Sequence, residues 1–467
     1  MNIYVLFWFD VEDYIEEQSD EALKGLLEIF EAHGVQATWK LVGEKARVLE
    51  ERNRGDIIRL LQRHDIGYHT DHHSRHPVLA EYLDIMGWED GIAELRRRES
   101  QGYRDLQRIV GPASTFGQAG GSWAPQLCPL LKEWDIPLFM DEAGHIGFDG
   151  GPYWYGNVLH INRMESNSTR MDFRRGEEGL AQGRRDFDEI HARLADTGGL
   201  ISIYYHPCEW ATQGFWDGAN FARGANPSAD KWQSPALRSM EQMRADLNLF
   251  SDYLGHVKSR KNVEIITGRQ VLNLLPDCAS DHRFTATELV ELAAFADGEI
   301  TYRQRGDFTL SPAEIFSLTL DALLQVAGEP SQAGELQVQT LYGPTRRIQS
   351  SLEQGAQLSA EVLLQTCSDV RDFIRHHDRM PDCAWLGVER LAPADLLLTG
   401  RDLLAAHLAE GQFPKQTTVR HGRLGLETHV YENSWGWVIF PEGFNAPNLI
   451  ELGRLQTWTL KPALLVG

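Results

Sequence analysis

The chain has 467 residues, 42% of them hydrophobic and 24% charged. This is ordinary globular usage, which excludes a disordered or fibrous chain, and the length suits two or three domains, or one barrel of about 250 residues plus a second domain. With 45 basic against 67 acidic residues the formal charge is -22, which argues against nucleic acid or an anionic membrane as a main partner, and no run of about 18 apolar residues offers a bilayer span.

The chain opens MNIYVLFWFDVEDY. The apolar run Ile3–Phe9 follows no Lys or Arg and runs straight into Asp10, Glu12 and Asp13. That is not the layout of a secretory signal. It reads as the buried first strand of a parallel sheet, and a cytoplasmic location is expected. Five widely spaced cysteines, Cys128, Cys208, Cys278, Cys367 and Cys383, form no CxxC, so neither a disulfide framework nor a thiolate zinc site is expected.

Leu23–His33 has helical spacing and is closed by His33-Gly34. Val35–Val42 reads as a second strand, Glu44–Arg63 as a helix and HDIGYH as a short strand. Leu127–Trp134 is a helix leading into the strand Ile136–Met140. Asp186–Leu194 leads in the same way into Leu200–Tyr205, and Met240–Val257 into Val263–Thr267. Alternation of strand and helix to about residue 275 implies an α/β fold. A (β/α) barrel of about seven strands is expected over residues 1–277, with an open doubly wound sheet as its rival.

Leu275-Pro276-Asp277 ends this part, and residues 281–467 read as a second, mainly helical α+β domain. Leu310–Leu324 (LSPAEIFSLTLDALL) and Leu391–Leu404 (LAPADLLLTGRDLL) echo each other, each with Pro early in a helix, which suggests a duplicated helical unit. Tyr431–Phe440 reads as a strand pair around Gly436. Packing, or self-association into a homo-oligomer, is the expected role of this part.

The chemistry-bearing feature is HDIGYHTDHHSRHP. Five of the 17 histidines, His64, His69, His72, His73 and His76, fall within it. His69 and His73 are four apart, as are His72 and His76. On a helical turn such a pair lies on one face, where two imidazoles can share a divalent ion with a carboxylate as third ligand. Asp10, Glu12 and Asp13 crowd three negative charges at the end of the first strand, which is costly unless a cation or hydrogen bonds offset them. One of them could bind an ion and another take a proton from water. Strand ends are where barrel enzymes keep their sites.

The order of these motifs resembles the polysaccharide deacetylase (NodB-homology) family, carbohydrate esterase family four, over about residues 1–275. Asp10 aligns with the first of the family's two aspartates, Ala37-Thr38-Trp39 with Gly43 matches its second motif, and His64–His73 (HDIGYHTDHH) matches its histidine motif. The resemblance implies His69 and His73 as metal ligands, with His72 and His76 as the alternative register, and Asp10 as catalytic base. Asp13 is taken as the ligating carboxylate, with Glu12 as its competitor. Leu200–His206 (LISIYYH) matches the family's late strand and implies His206 as the general acid. The family's Arg-x-Pro motif, whose Arg orients the base, is missing. In its place stands GQAGGSWAP, Gly117–Pro125, where Gln118 cannot supply a cation, Gly120-Gly121 suggest a tight loop, and Trp123 could stack on a ring. Gln118, Trp123 and Glu209 are the expected substrate contacts.

The implied activity is metal-dependent hydrolysis of amide C–N bonds, an N-deacetylation of a carbohydrate or small N-acyl substrate. Zinc is the default ion for two His and one carboxylate. A cyclic-amide or ureido hydrolase on the same scaffold and a non-catalytic carbohydrate-binding protein are the rival expectations.

Overall fold

In the computed structural model, which describes residues 1–142, 144–148, 150–162, 164–328, 336–432 and 435–466, the opening apolar run becomes β1 (Ile3–Val11). The chain then alternates through α1 (Gln18–His33), β2 (Thr38–Leu41), α2 (Gly43–Glu51), α3 (Gly55–Leu61), β3 (Asp65–Tyr68), α4 (Leu79–Leu83) and α5 (Trp88–Ile109). It continues through β4 (Thr115–Phe116), α6 (Leu127–Glu133), β5 (Leu138–Asp141), β6 (Tyr153–Tyr155), β7 (Val158–Asn162), α7 (Gly176–Arg193) and β8 (Gly199–Tyr205). Two short helices, α8 (Cys208–Ala211) and α9 (Trp216–Asn220), precede α10 (Met240–Lys258) and β9 (Val263–Ile266). The helix expected over Glu44–Arg63 is two helices. They part at Asn53, which takes a left-handed conformation (φ 56°) that Asn tolerates better than most residues.

The sheet runs β6-β7-β5-β4-β3-β2-β1-β8, with β9 along the first half of β1 and a short C-terminal strand, Lys461–Pro462, outside β6. It curls as a half-barrel, so the expected α/β architecture with a curled sheet is present, while closure into a full barrel is not seen among the described residues. The reason lies after β5. There the chain inserts β6 antiparallel to β7, and Lys461–Pro462 extends that edge instead of returning it to β8. Among the described residues the outer edge of β8 makes a single bridge, Ser168 to Ser202.

Strand periodicity divides β1 into two faces. Val5, Phe7, Phe9 and Val11 join the core packed under the helices, while Leu6 and Trp8 join a smaller cluster on the other, concave face with Leu138, Met140, Leu159, Ile161 and Leu200. Asp10 continues the concave row, and Glu12 follows two residues on.

A separate apolar core gathers residues between Ala279 and Val419, together with Trp458. Within it the sequence echo is larger than a helix. The hairpin Arg303–Arg305/Phe308–Leu310 precedes the helix Pro312–Val326, and the hairpin Ala384–Leu386/Glu389–Leu391 precedes Pro393–Glu410. Leu426, Val430, Trp435, Ile439, Phe440, Leu449 and Leu460 instead pack into the core of the curled sheet. No strand forms among the described residues of the expected pair over Tyr431–Phe440; Asn433 and Ser434 lie outside the described residues. No helix among the described residues is long and apolar enough to cross a membrane.

Candidate active site

The parallel register of β1, β2 and β3 brings the first charged pair together. Asp10 is the cross-strand neighbour of Lys40, and Lys40 of Gly67. Lys40 is fully buried, with Nζ 2.8 Å from Asp10 Oδ1, donating to the Met140 carbonyl at 2.7 Å and lying 4.1 Å from the Trp8 ring centre. Two glycines clear its path. A Cβ on Gly67 would meet Lys40 Cγ at 2.5 Å, and one on Gly117 would meet Nζ at 2.2 Å. Burial pushes the Asp10 carboxyl up, but Lys40, His69 and His206 outweigh it and hold it below the usual range.

Glu12, His69 and His73 offer ligand atoms that lie within 4.8 Å of one another, all buried. Glu12 Oε2 is 2.8 Å from His73 Nε2 and 3.8 Å from His69 Nε2, while Oε1 accepts from the Trp216 indole at 3.2 Å. The imidazoles are turned by their other nitrogens. His69 Nδ1 lies 3.0 Å from the Gly117 carbonyl and His73 Nδ1 lies 2.6 Å from Ser74 Oγ, which donates to Asp217 Oδ2 at 3.3 Å. With the Nδ1 atoms so engaged, both Nε2 atoms face Glu12. The buried Nε2 of His73 has the Glu12 carboxylate, 2.8 Å away, as its partner. Two imidazoles with satisfied outer nitrogens and a carboxylate, sharing one point, fit a divalent ion of the zinc type. Burial pushes the Glu12 carboxyl up, but His73 and His206 hold it well below the usual range; burial lowers His69, whereas at His73 Glu12 and Asp217 outweigh burial and raise the imidazole.

His206 follows β8, opposite Asp10 on the concave face. Its Nε2 is 3.7 Å from Asp10 Oδ2 and its Nδ1 is 3.0 Å from Glu209 Oε1. Arg170 holds the other oxygen of Glu209 at 2.6 Å. Burial would lower the imidazole pKa, but Glu12, Glu209 and Asp10 raise it to about 9; burial raises Glu209, but His206 and Arg170 bring it down to about 2.

Several expectations about single residues change. Asp13, expected as the metal ligand, points away from the cluster, and its Oδ1 accepts the Ile15 and Glu16 N–H groups at 2.9 and 3.1 Å. Residues two apart on a strand share a face, so Glu12 follows Asp10 and Asp13 does not. His69 and His73 meet, but through a turn and not a helix, with Thr70 (φ 61°) and His73 (φ 56°) both left-handed. In the alternative register, His72 is half exposed beside Asp71, and His76 is paired with Glu81 at 2.7 Å. Trp123, expected to stack on a substrate ring, is buried and stacks on His145 at 5.1 Å. Gln118 is buried, and its backbone N–H donates to Asp141 Oδ2 at 3.0 Å. Glu209, expected as a substrate contact, is paired with His206 and Arg170. Reading the residues missed Lys40 and the chain from Ser74 to Asp217. Trp216 is buried against His73.

No protein-family model and no curated protein matches this chain. Among solved structures, an allantoinase (Puue) is 15% identical over 58% of this chain and 89% of its own, with a TM-score of 0.40. A peptidoglycan N-acetylglucosamine deacetylase is 17% identical over 57% of this chain and 86% of its own, with a TM-score of 0.30. A carbohydrate esterase family four domain of a multidomain xylanase from the hindgut metagenome of Trinervitermes trinervoides is 11% identical over 58% and 91%, with a TM-score of 0.31. Likenesses at this level say nothing of reaction or substrate, which are read from the side chains alone.

Proposed function

We propose that the chain is a metal-dependent hydrolase of amide C–N bonds that removes the acyl group from an amino-sugar derivative. One observation carries this reading: Glu12, His69 and His73 converge on a point beside which stand a fixed carboxylate, Asp10, and an imidazole, His206. Glu12 and the Nε2 atoms of His69 and His73 would hold the ion, which when bound supplies Lewis-acid polarisation of an acyl oxygen and a more acidic water.

The protein groups divide the remaining work. Asp10 Oδ1 is committed to Lys40, which leaves Oδ2 to accept a proton from water. Lys40 stands where a cation is needed to orient that carboxylate, and so takes over the task for which the sequence lacks an arginine. His206, whose pKa Glu12, Glu209 and Asp10 raise and whose ring Glu209 orients through Nδ1, would donate from Nε2 to the departing nitrogen. Asp10 and His206 thus stand side by side as the proposed base and acid.

The test is acetate release from N-acetylated amino sugars by metal-loaded protein, alongside ring-opening of a hydantoin. E12Q, H69A and H73A are expected to lose stoichiometric metal. D10N and H206N are expected to keep it and to lose about 10²–10⁴-fold in kcat. Full metal in H69A and H73A, with loss in H72A and H76A, would refute the ligand set. Turnover of the hydantoin alone would replace the substrate class.

A further inference from the structure

We infer that Trp437 and Phe215 form a substrate subsite at the mouth of this centre, one that takes a pyranose ring of a soluble amino-sugar oligomer; the inference rests on the proposed site. Exposed tryptophans are ordinarily incidental. Trp437 is held in three ways. Its indole N–H donates to Asp217 Oδ2 at 2.6 Å, and Asp217 is fully buried. Its ring meets Phe215 edge to face at 5.4 Å. On its other side it reaches the loop after β4, where a Cβ on Gly120 would lie 3.3 Å from Trp437 Cδ1 and 2.6 Å from Ile439 Cδ1.

Phe215 in turn meets His206 edge to face at 5.0 Å. An aromatic row therefore runs outward from the proton donor to Trp437, which is 39% exposed next to Val438 at 43%. The row borders Gly117–Gly121, whose first carbonyl holds His69. A fixed indole at a site mouth offers a large amphipathic surface at little entropic cost, and so suits a ring with one apolar face and hydroxyls left in water. An exposed platform one aromatic ring further out serves a substrate that extends beyond the reacting group. The C-terminal segment thereby gains a role that the buried Trp123 does not fill.

The test measures binding of the trimer of N-acetylglucosamine by calorimetry, to metal-free and to metal-loaded protein, with KM for the trimer where turnover is seen. W437L keeps bulk without the ring and is expected to weaken binding about tenfold. W437F keeps a ring and is expected to stay within about threefold of wild type. W385A removes a remote tryptophan, 57% exposed, and is expected to change nothing. Wild-type affinity in W437L overturns the subsite, as does absence of trimer binding in wild type or equal weakening in W437F and W437L. Binding that depends on Trp437 in a protein without hydrolase activity upholds the subsite and removes the hydrolase reading. Hydrolysis with an unchanged KM in W437L does the reverse.

Discussion

At the scale of single residues the centre is an exercise in placing charge where water is absent. Lys40 is buried in a cleft that only glycine at 67 and 117 leaves open, so its ammonium has little choice of position. K40M removes the cation and leaves Asp10 free to rotate. The expected result is about a hundredfold loss of kcat with one equivalent of metal retained. Gly117 has an ordinary negative-φ backbone, so G117A strains no turn, and its Cβ would displace Nζ. G117A is therefore expected to reproduce the kinetic defect of K40M, with Lys40 still present. Unchanged kcat in both variants would show that Asp10 is oriented by other groups. Part of this chemistry was open to reading from the sequence. Period two along β1 assigns Glu12, not Asp13, to the face of Asp10, and LISIYYH puts His206 at a strand end. Lys40 was not legible, because its partner depends on the register between strands, which a sequence with no alignment does not reveal.

At the scale of elements, the loop after β3 is the strained part, and α5 steadies it. Thr70 and His73 sit in the left-handed region at a cost of about 1–3 kcal/mol each. Asp71 between them is fixed by Arg47 at 2.6 Å and by its N–H to Glu99 Oε2 at 2.8 Å; Tyr68 donates to the same oxygen at 2.7 Å. Helical spacing fits His69/His73 and His72/His76 alike, and the first pair meets through a left-handed turn instead, because backbone strain offset by distant contacts leaves no trace in local periodicity. The apolar stripe of α5, Trp88, Ile92, Leu95, Tyr103, Leu106 and Ile109, is legible in the sequence, but its role as support for the loop is not. Burial raises Glu99 from 4.5 to about 7, despite the hydrogen bond from Tyr68 that opposes the rise. A carboxyl raised in the folded state contributes stability that is complete below pH 4.5 and lost as pH rises through 7. Wild type is therefore expected to lose up to about 3 kcal/mol of unfolding free energy between pH 4.5 and pH 8 that E99Q does not lose. Urea unfolding of both proteins across that range measures the difference, and parallel curves would remove Glu99 as its source.

At the scale of the whole molecule, the boundary read at residues 275–281 marks where the second core begins but not where the chain's last part belongs. Composition shifts report local helix content, whereas the return of residues 426–462 to the curled sheet is a long-range contact with no sequence signature. Lys461 is the joint. Its Nζ is buried, 2.8 Å from both Asp277 oxygens and 2.7 Å from Glu314 Oε1, where Glu314 caps the helix Pro312–Val326 through the Ser311 N–H. Its backbone pairs with Trp154 of β6, and the Pro462 carbonyl accepts from Thr309. K461M leaves two carboxylates facing each other without a cation, one of them fully buried, and is expected to cost about 3–5 kcal/mol. Most of that cost is the stranded Glu314 charge and not the lost pair. The double variant K461M/E314Q should therefore be more stable than K461M, which denaturant unfolding of the four proteins in the cycle would measure. If the two changes simply add, Lys461 and Glu314 are independent. The C-terminal strand would then be held by the Lys461–Asp277 ion pair, its backbone pairing with β6 and its apolar contacts, without help from Glu314.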